Sequence, residues 1–203
     1  MKIIEQNRAP NPRRVRIFLA EKGISVPFEQ VDIMKGELRS AEFTGLNPMQ
    51  RVPVLVLDDG TAIAESVAIC RYFEETQPLP ALFGTTPVER ATIEMWNRRM
   101  ELALLVPVSH CFRHIHPAMA TLEVPQFPAW GEANRANTLR LLPLLDAELG
   151  RRLFIAGAEL SIADITALVA IDFMKPARIE RPTGLANLER WYNAMSRRPS
   201  AKA

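Results

Sequence analysis

Asp58-Asp59-Gly60 stands between two short runs of apolar and β-branched residues, Val54-Leu55-Val56-Leu57 and Thr61-Ala62-Ile63-Ala64. Gly accepts the positive φ that a tight reversal needs, so this spacing predicts a β-hairpin, and with it a sheet, in the first third of the chain. Pro53 has no N–H to give to a sheet ladder and belongs at the start of a strand. There the backbone N–H and C=O of Val52 stay free to pair with something other than a neighbouring strand. Glu65-Ser66 follow the second run and open an amphipathic stretch through Val67, Ile69, Cys70, Tyr72 and Phe73. A helix is expected to begin there, with its unpaired N–H groups and the Ser66 hydroxyl turned toward whatever precedes it. A backbone edge for an amide, a helix start for a carboxylate and an acid for an ammonium suit a small peptide that carries all three groups. Taken singly, the same residues read as an edge proline, an ordinary cap and a solvated acid.

Around the hairpin the chain alternates. A strand over 2–5, a helix over 11–23, a strand over 28–33 and a short helix over 40–46 precede it, giving βαβ followed by ββα. This order implies an α/β domain over residues 1–78, a small thioredoxin-like fold with a mixed four-stranded sheet. After Gln77-Pro78-Leu79-Pro80 the character changes, and residues 79–86 read as a linker. From 87 to 203 the periodicity is helical, broken at Pro117 and between Pro125 and Pro128, so the second domain is expected to be an all-α helical bundle. Ser161-x-x-Asp164 before an apolar stretch resembles a capping box and marks one helix start in that domain's core. Trp96, Trp130 and Trp191 read as packing anchors.

The 203 residues, 48% of them hydrophobic, are enough for packed cores, and a net charge of +2 without a basic stripe argues against nucleic acid. Cys70 and Cys111 fall in apolar helical stretches and read as buried free thiols of a reducing compartment. No apolar leader follows Met1-Lys2 and no run approaches the ~20 apolar residues of a membrane span, so a cytoplasmic protein is expected. His110, His114 and His116 lack a partnering Cys or acid cluster, so no metal site is expected.

The run VPVL, DDG, IAES resembles the glutathione-binding half of the glutathione transferases. The resemblance continues through Arg14-Val15-Arg16-Ile17, Ala20-Glu21-Lys22, Lys35-Gly36-Glu37, Asn47-Pro48 and Ser161-Ile162-Ala163-Asp164-Ile165, and so covers nearly the whole chain. The stretch from Trp96 to His114, with Val108-Ser109 in mid-helix, is more narrowly similar to a fungal and bacterial subgroup typified by the second yeast glutathione transferase. The resemblance implies that Val52, before a cis Pro53, pairs its backbone with the cysteinyl part of glutathione. It further implies that Glu65 and Ser66 hold the γ-glutamyl end, and that Arg51 and Lys35 neutralise the glycine carboxylate. Glutathione is then a co-substrate, a small electrophilic acceptor is the other reactant, and the protein is a homodimer. Phe112 and residues 115–124 are candidates for lining the acceptor pocket.

Most of the family activates the thiol with a Tyr, Ser or Cys near the start of the first helix, but here that region reads Asn7-Arg8-Ala9-Pro10-Asn11-Pro12-Arg13. Activation matters because the thiolate is the nucleophile and a thiol of pKa ~8.5 is mostly protonated at neutral pH. Pro10 and Pro12 fit the first turn of a helix, and small Ala9 precedes it. In the subgroup, a water held by a Ser and a His of the second domain takes the thiol proton. Ala9 fits that pattern and Ser109 occupies the Ser position. Arg113, not a His, lies one turn after Ser109 on the same face, with His110 and His114 beside it. Two schemes therefore stand: a water polarised by Ser109 with a histidine, His114 being the one that matches the resemblance, or Arg113 acting as a fixed positive charge. A solvated basic cluster, with Ser109 bonded to its own helix, is the bland alternative. Conjugation to electrophiles is the leading function. Glutathione-dependent reduction of peroxides or disulfides and a non-catalytic glutathione-binding role are the competitors.

Overall fold

The computed structural model describes residues 1–203. Met1–Ala81 form one unit together with Pro199–Ala203, and Leu82–Arg198 form a second.

In the first unit β1 (Lys2–Glu5), α1 (Pro10–Lys22) and β2 (Phe28–Gln30) make the βαβ element, with β1 and β2 parallel. After α2 (Ala41–Leu46) come the hairpin strands β3 (Val54–Val56) and β4 (Ala62–Ala64), then α3 (Ser66–Thr76). The strand order is β2-β1-β3-β4, and β3 is antiparallel to both neighbours, which is the expected four-stranded mixed sheet of thioredoxin type. The turn forms as its residues predict: Gly60 sits at φ 86 and donates its N–H to the Leu57 C=O, while the Asp59 carboxylate accepts the Thr61 N–H at 2.9 Å. Successive side chains alternate across the sheet. Ile4 and Val54, paired in register, pack with Leu38, Phe43 and Val52 on one face. Ile3 and Leu55, both fully buried, are left for the face that α1 and α3 cover. Coverage on both faces accounts for β1 burying three successive residues instead of alternating.

Strand β2 is shorter than the expected 28–33. Asp32 ends it by accepting the Met34 N–H at 2.8 Å and the Lys35 N–H at 3.3 Å, an Asx turn that draws the chain off the ladder. The last residues join this unit, where the expected helical domain ran to residue 203. Arg13 donates to the Ala201 C=O at 3.1 Å and the Ser200 hydroxyl meets the Glu21 carboxylate, so both bonds land on α1.

The second unit opens on α4 (Pro87–Met100) through a reciprocal cap: the Thr86 hydroxyl accepts the Glu89 N–H at 3.2 Å, and the Glu89 carboxylate accepts the Thr86 N–H at 3.2 Å. A π-helical turn, Glu101–Leu105, then leads without a break into α5 (Val106–Ile115), the Val106 N–H reaching five residues back to the Glu101 C=O. Pro107 supplies the reason. It has no N–H to return to the Ala103 carbonyl and its ring crowds that carbonyl, and widening the preceding turn relieves both. The continuous helix changes partner at this turn, since α4 packs on α7 (Ile162–Met174) and α5 on α6 (Pro128–Leu149). Helix α8 (Ala186–Ser196) closes the unit. No helix is long and apolar enough to cross a membrane.

Helix α7 is the core, with Ile162, Ile165 and Leu168 buried, and it packs against α4, the 101–105 turn, α5 and α8. The expected Ser161–Asp164 helix start is present and does more than cap. The fully buried Asp164 carboxylate accepts the Ser161 N–H at 3.0 Å, the Ile155 N–H at 2.8 Å and the Trp191 indole N–H at 2.8 Å, and lies 3.0 Å from the Ser161 hydroxyl. Burial pushes its carboxyl up from the ordinary value, and these donors pull it back. Asp164→Ala strands three buried N–H donors from three separate segments and is expected to cost about 3–5 kcal/mol, read as a fall in the urea midpoint at unchanged m-value.

Candidate functional site

The Val52-Pro53 peptide bond is cis, as the resemblance implied, and β3 begins only at Val54. The backbone N–H and C=O of Val52 therefore lie just outside the ladder, and no hydrogen bond within the protein engages them. The chain is pinned on the approach, where the buried Asn47 side chain donates to the Arg51 C=O at 2.8 Å. Val52 itself packs into the core, so an extended peptide laid on this edge would meet a rigid backbone.

Glu65 is the residue before α3 and has φ 66 and ψ 116, a sparsely populated conformation for a residue with a Cβ. Such geometry costs on the order of 1–3 kcal/mol and survives only where neighbours enforce it, which is why it clusters at functional sites. It leaves the Glu65 side chain exposed, without capping the helix. The first intrahelical bond runs from the Ile69 N–H to the Glu65 C=O, so the N–H groups of Ser66, Val67 and Ala68 remain unpaired at the positive end of α3.

Ser66 is buried, and the guanidinium of Arg14 donates to its hydroxyl at 3.1 Å. This contact is the upper rung of a ladder between α1 and α3. Arg14, Phe18 and Lys22 follow at four-residue steps on α1, as do Ser66, Cys70 and Glu74 on α3, and such steps place each triplet on one helix face. The lower rung is the Lys22–Glu74 ion pair at 2.7 Å. Both rungs advance eight residues in the same direction, so α1 and α3 run parallel with their N-termini at one end. Ala9 lies at that end as the residue preceding α1 (φ −82, ψ 142), and its methyl supplies no proton-transfer group. Arg51 and Lys35 are both exposed. Arg51 donates to the Gln50 C=O at 3.3 Å, and the Lys35 ammonium is 3.7 Å from Asp32.

In the second unit Ser109 is half-buried on α5, and no protein group hydrogen-bonds its hydroxyl. Its neighbours are more committed than the sequence indicated. Arg113 donates to Glu123 at 2.6 Å, so its charge is matched at close range by a carboxylate ten residues downstream. His114 is buried, its Nδ1 accepts the Phe127 N–H at 3.2 Å, and its Nε2 is 3.8 Å from Glu123. With Nδ1 occupied as an acceptor, the neutral ring carries its proton on Nε2 and serves as a donor. His110 stacks near Trp130 at 5.9 Å, and its pKa is held below the ordinary value first by desolvation and then by the charges of His114 and Arg113. Phe112 packs against His116 and Phe173. A cavity of about 700 Å³ in this unit is walled by the segment between α7 and α8, with Lys175, Arg178 and Arg181, and by Leu188 and Glu189 of α8, and includes neither Phe112 nor residues 115–124. No group of three or more His, Cys, Asp or Glu is placed to hold a metal ion.

A thioredoxin-type unit with an unpaired backbone edge at Val52, followed by a helical unit, defines the two-part fold class of the glutathione transferases. The comparisons narrow that class. Residues 9–76 match the model of the glutathione S-transferase N-terminal domain, and residues 111–199 that of the C-terminal domain. The chain is 40% identical over 205 residues to glutathione S-transferase 2 of Saccharomyces cerevisiae, covering 100% of this chain and 88% of that one. The crystal structure of Gtt2 from Saccharomyces cerevisiae matches with a TM-score of 0.95 and 40% identity, over 100% of this chain and 99% of that one. A glutathione S-transferase domain-containing protein from Marinobacter aquaeolei VT8 matches with a TM-score of 0.96 and 40% identity, over 98% and 99%. The chain belongs to the glutathione S-transferase family, and its general activity is that of a glutathione transferase.

Gly131 lets α6 approach α5 at His114. A Cβ there would stand 2.5 Å from Ile115 Cγ1, 2.8 Å from Ile115 Cδ1 and 3.3 Å from His114 Cβ. Gly131→Ala is therefore expected to lose about 1–3 kcal/mol in denaturant unfolding. The control is Gly45→Ala at an exposed position of α2, where a Cβ meets nothing within 4 Å, and a gain of up to about 1 kcal/mol is expected.

Proposed function

We propose that this enzyme conjugates the thiolate of glutathione to small, electrophilic, partly apolar acceptors, and that it activates the thiol without a Tyr, Ser or Cys at the start of α1. The observation that carries the reading is the juxtaposition in the first unit of an unpaired Val52 backbone, a strained Glu65 and the open N-terminus of α3 at Ser66. Val52 pairs with the cysteinyl amide. The Ser66 hydroxyl and the first-turn N–H groups of α3 receive the γ-glutamyl carboxylate, and Glu65 takes its ammonium. Arg51 and Lys35 are the cations for the glycine carboxylate. Ala9 leaves room for the thiol at the end where α1 and α3 both begin, and the field of two parallel helix N-termini favours the thiolate there. Each unit by which the bound thiol's pKa falls corresponds to about 1.4 kcal/mol of preference for the thiolate.

Ser109, whose hydroxyl is uncommitted, polarises the water that takes the thiol proton. Arg113 and His114, joined through Glu123, serve beside it as a fixed pair, His114 as a donor and Arg113 with its charge largely offset. The sulfur then forms a bond to the electrophilic carbon as a leaving group departs with its electron pair, or as the electrons move onto an activated acceptor that is subsequently protonated. The protein acts as a homodimer. Mixed-disulfide reduction is disfavoured because Cys70 and Cys111 are both fully buried, and burial pushes the Cys70 thiol up to about 12.

Steady-state conjugation of a chromogenic aryl halide, alongside ultraviolet absorbance of the bound thiolate across pH, tests the scheme. The bound thiol is expected to titrate below free glutathione, and Ser109→Ala to lower kcat about tenfold while retaining glutathione binding. Full activity in Ser109→Ala removes the activation scheme. Glutathione binding with no thiolate signal at neutral pH makes the protein a non-catalytic binder. Glu65→Ala and Ser66→Ala are expected to abolish retention on immobilised glutathione, and unaltered retention removes the site assignment.

A further inference from the structure

We propose that Arg14 is a positioning residue that fixes the Ser66 hydroxyl as a hydrogen-bond donor and so makes the start of α3 selective for a thiol bearing a carboxylate on its γ-glutamyl arm. The inference rests on the placement of that arm at Ser66 proposed above.

A hydroxyl has one proton to give and two lone pairs to receive, and it rotates to suit its neighbours. A guanidinium has only donors, so in the 3.1 Å contact Ser66 is necessarily the acceptor. No protein group accepts the Ser66 proton in turn. With one lone pair held from inside the protein, the hydroxyl has its remaining proton to offer at the helix start, beside the unpaired N–H groups of Ser66, Val67 and Ala68. Three backbone donors and one oriented hydroxyl donor suit an anion and disfavour a neutral group that needs to donate.

The rest of the ladder keeps Arg14 at the Ser66 end. Lys22, also buried, occupies the far end, where it pairs with Glu74 at 2.7 Å and donates to the Gln77 C=O at 2.7 Å and the Pro80 C=O at 2.8 Å. The planar fork of Arg suits this task because it fixes the direction of the bond to Ser66, whereas a Lys ammonium is a single point charge on a flexible stem.

The test is a binding cycle with two ligands: glutathione, and the analogue in which the γ-glutamyl α-carboxylate is replaced by hydrogen, 4-aminobutanoyl-cysteinyl-glycine. Calorimetric Kd values are measured for the unsubstituted protein, Arg14→Met, Arg14→Lys and Ser66→Ala. The unsubstituted protein is expected to prefer glutathione by about 30-fold, in the range of a charge-assisted hydrogen bond. In Arg14→Met the preference is expected to fall to about threefold, with Arg14→Lys between, and the loss to fall on KM for glutathione more than on kcat. A purely structural Arg14 weakens both ligands equally and leaves their ratio intact, and that result overturns the inference. Should Arg14→Met not fold, Arg14→Lys decides, an unchanged ratio again overturning it. If Ser66→Ala collapses the preference and the Arg14 variants do not, only the role of Arg14 falls. If Ser66→Ala leaves the preference unchanged, the placement of the γ-glutamyl arm falls and the inference with it.

Discussion

The polar ladder between α1 and α3 is the constraint on which the first unit depends. Its sheet has four strands, three of them only three residues long, and strands so short do not hold a binding edge in place by themselves. Two helices tied at both ends, Arg14 to Ser66 and Lys22 to Glu74, fix both axial register and direction. Buried charges seldom improve on well-packed apolar groups in stability, but they penalise every misaligned register, because a shift by one turn leaves a cation or a carboxylate unpaired in the core. The alignment brings two helix N-termini to one end, an arrangement that electrostatic repulsion between parallel dipoles opposes and that a bound anion relieves.

The helical unit is organised around a different polar centre. Asp164 gathers the Ser161 N–H, the Ile155 N–H and the Trp191 indole, so one carboxylate joins the segment before α7, the start of α7 and helix α8. Glu123 plays a similar part on a smaller scale. It lies in the connection between α5 and α6 and holds Arg113 at 2.6 Å while standing 3.8 Å from His114. The places of Arg113 and His114 are thus set in part by an acid from a connecting segment and not by the helix that carries them alone.

Much of this was legible in the sequence. Asp58-Asp59-Gly60 specified the hairpin, Pro53 the strand start, Ser161-x-x-Asp164 a helix start and His116-Pro117 the end of α5, because each depends on the conformational limits of one or two residues. What escaped depends on contacts between distant segments. Arg14 appears in the sequence as one basic residue of an arginine-rich helix, and only the matching four-residue steps of residues 66, 70 and 74 give it a partner. Arg113 reads as an available cation until Glu123 folds back onto it. The early end of β2 was local but turned on which of its polar groups Asp32 chose, and the sequence left that open. The π turn was hidden because Glu101-Leu102-Ala103-Leu104-Leu105 are good α-helix formers, and only Pro107, further along, signals the strain.

That turn has a consequence for how the helix from Pro87 to Ile115 tolerates changes in length. A residue added to or taken from a loop moves the loop. Within a helix, each residue contributes a rotation of about 100°. The turn at Glu101–Leu105 advances five residues from acceptor to donor where an α turn advances four. Removing one residue there would leave the Val106 N–H bonded to the Glu101 C=O in an ordinary α turn, so Ser109, Arg113 and His114 would keep their direction, whereas the same deletion in the α-helical stretches on either side would swing all that follows by about a quarter of a revolution. This short segment is therefore the one place in the helix where a change of length by one residue leaves the face of α5 aimed as before.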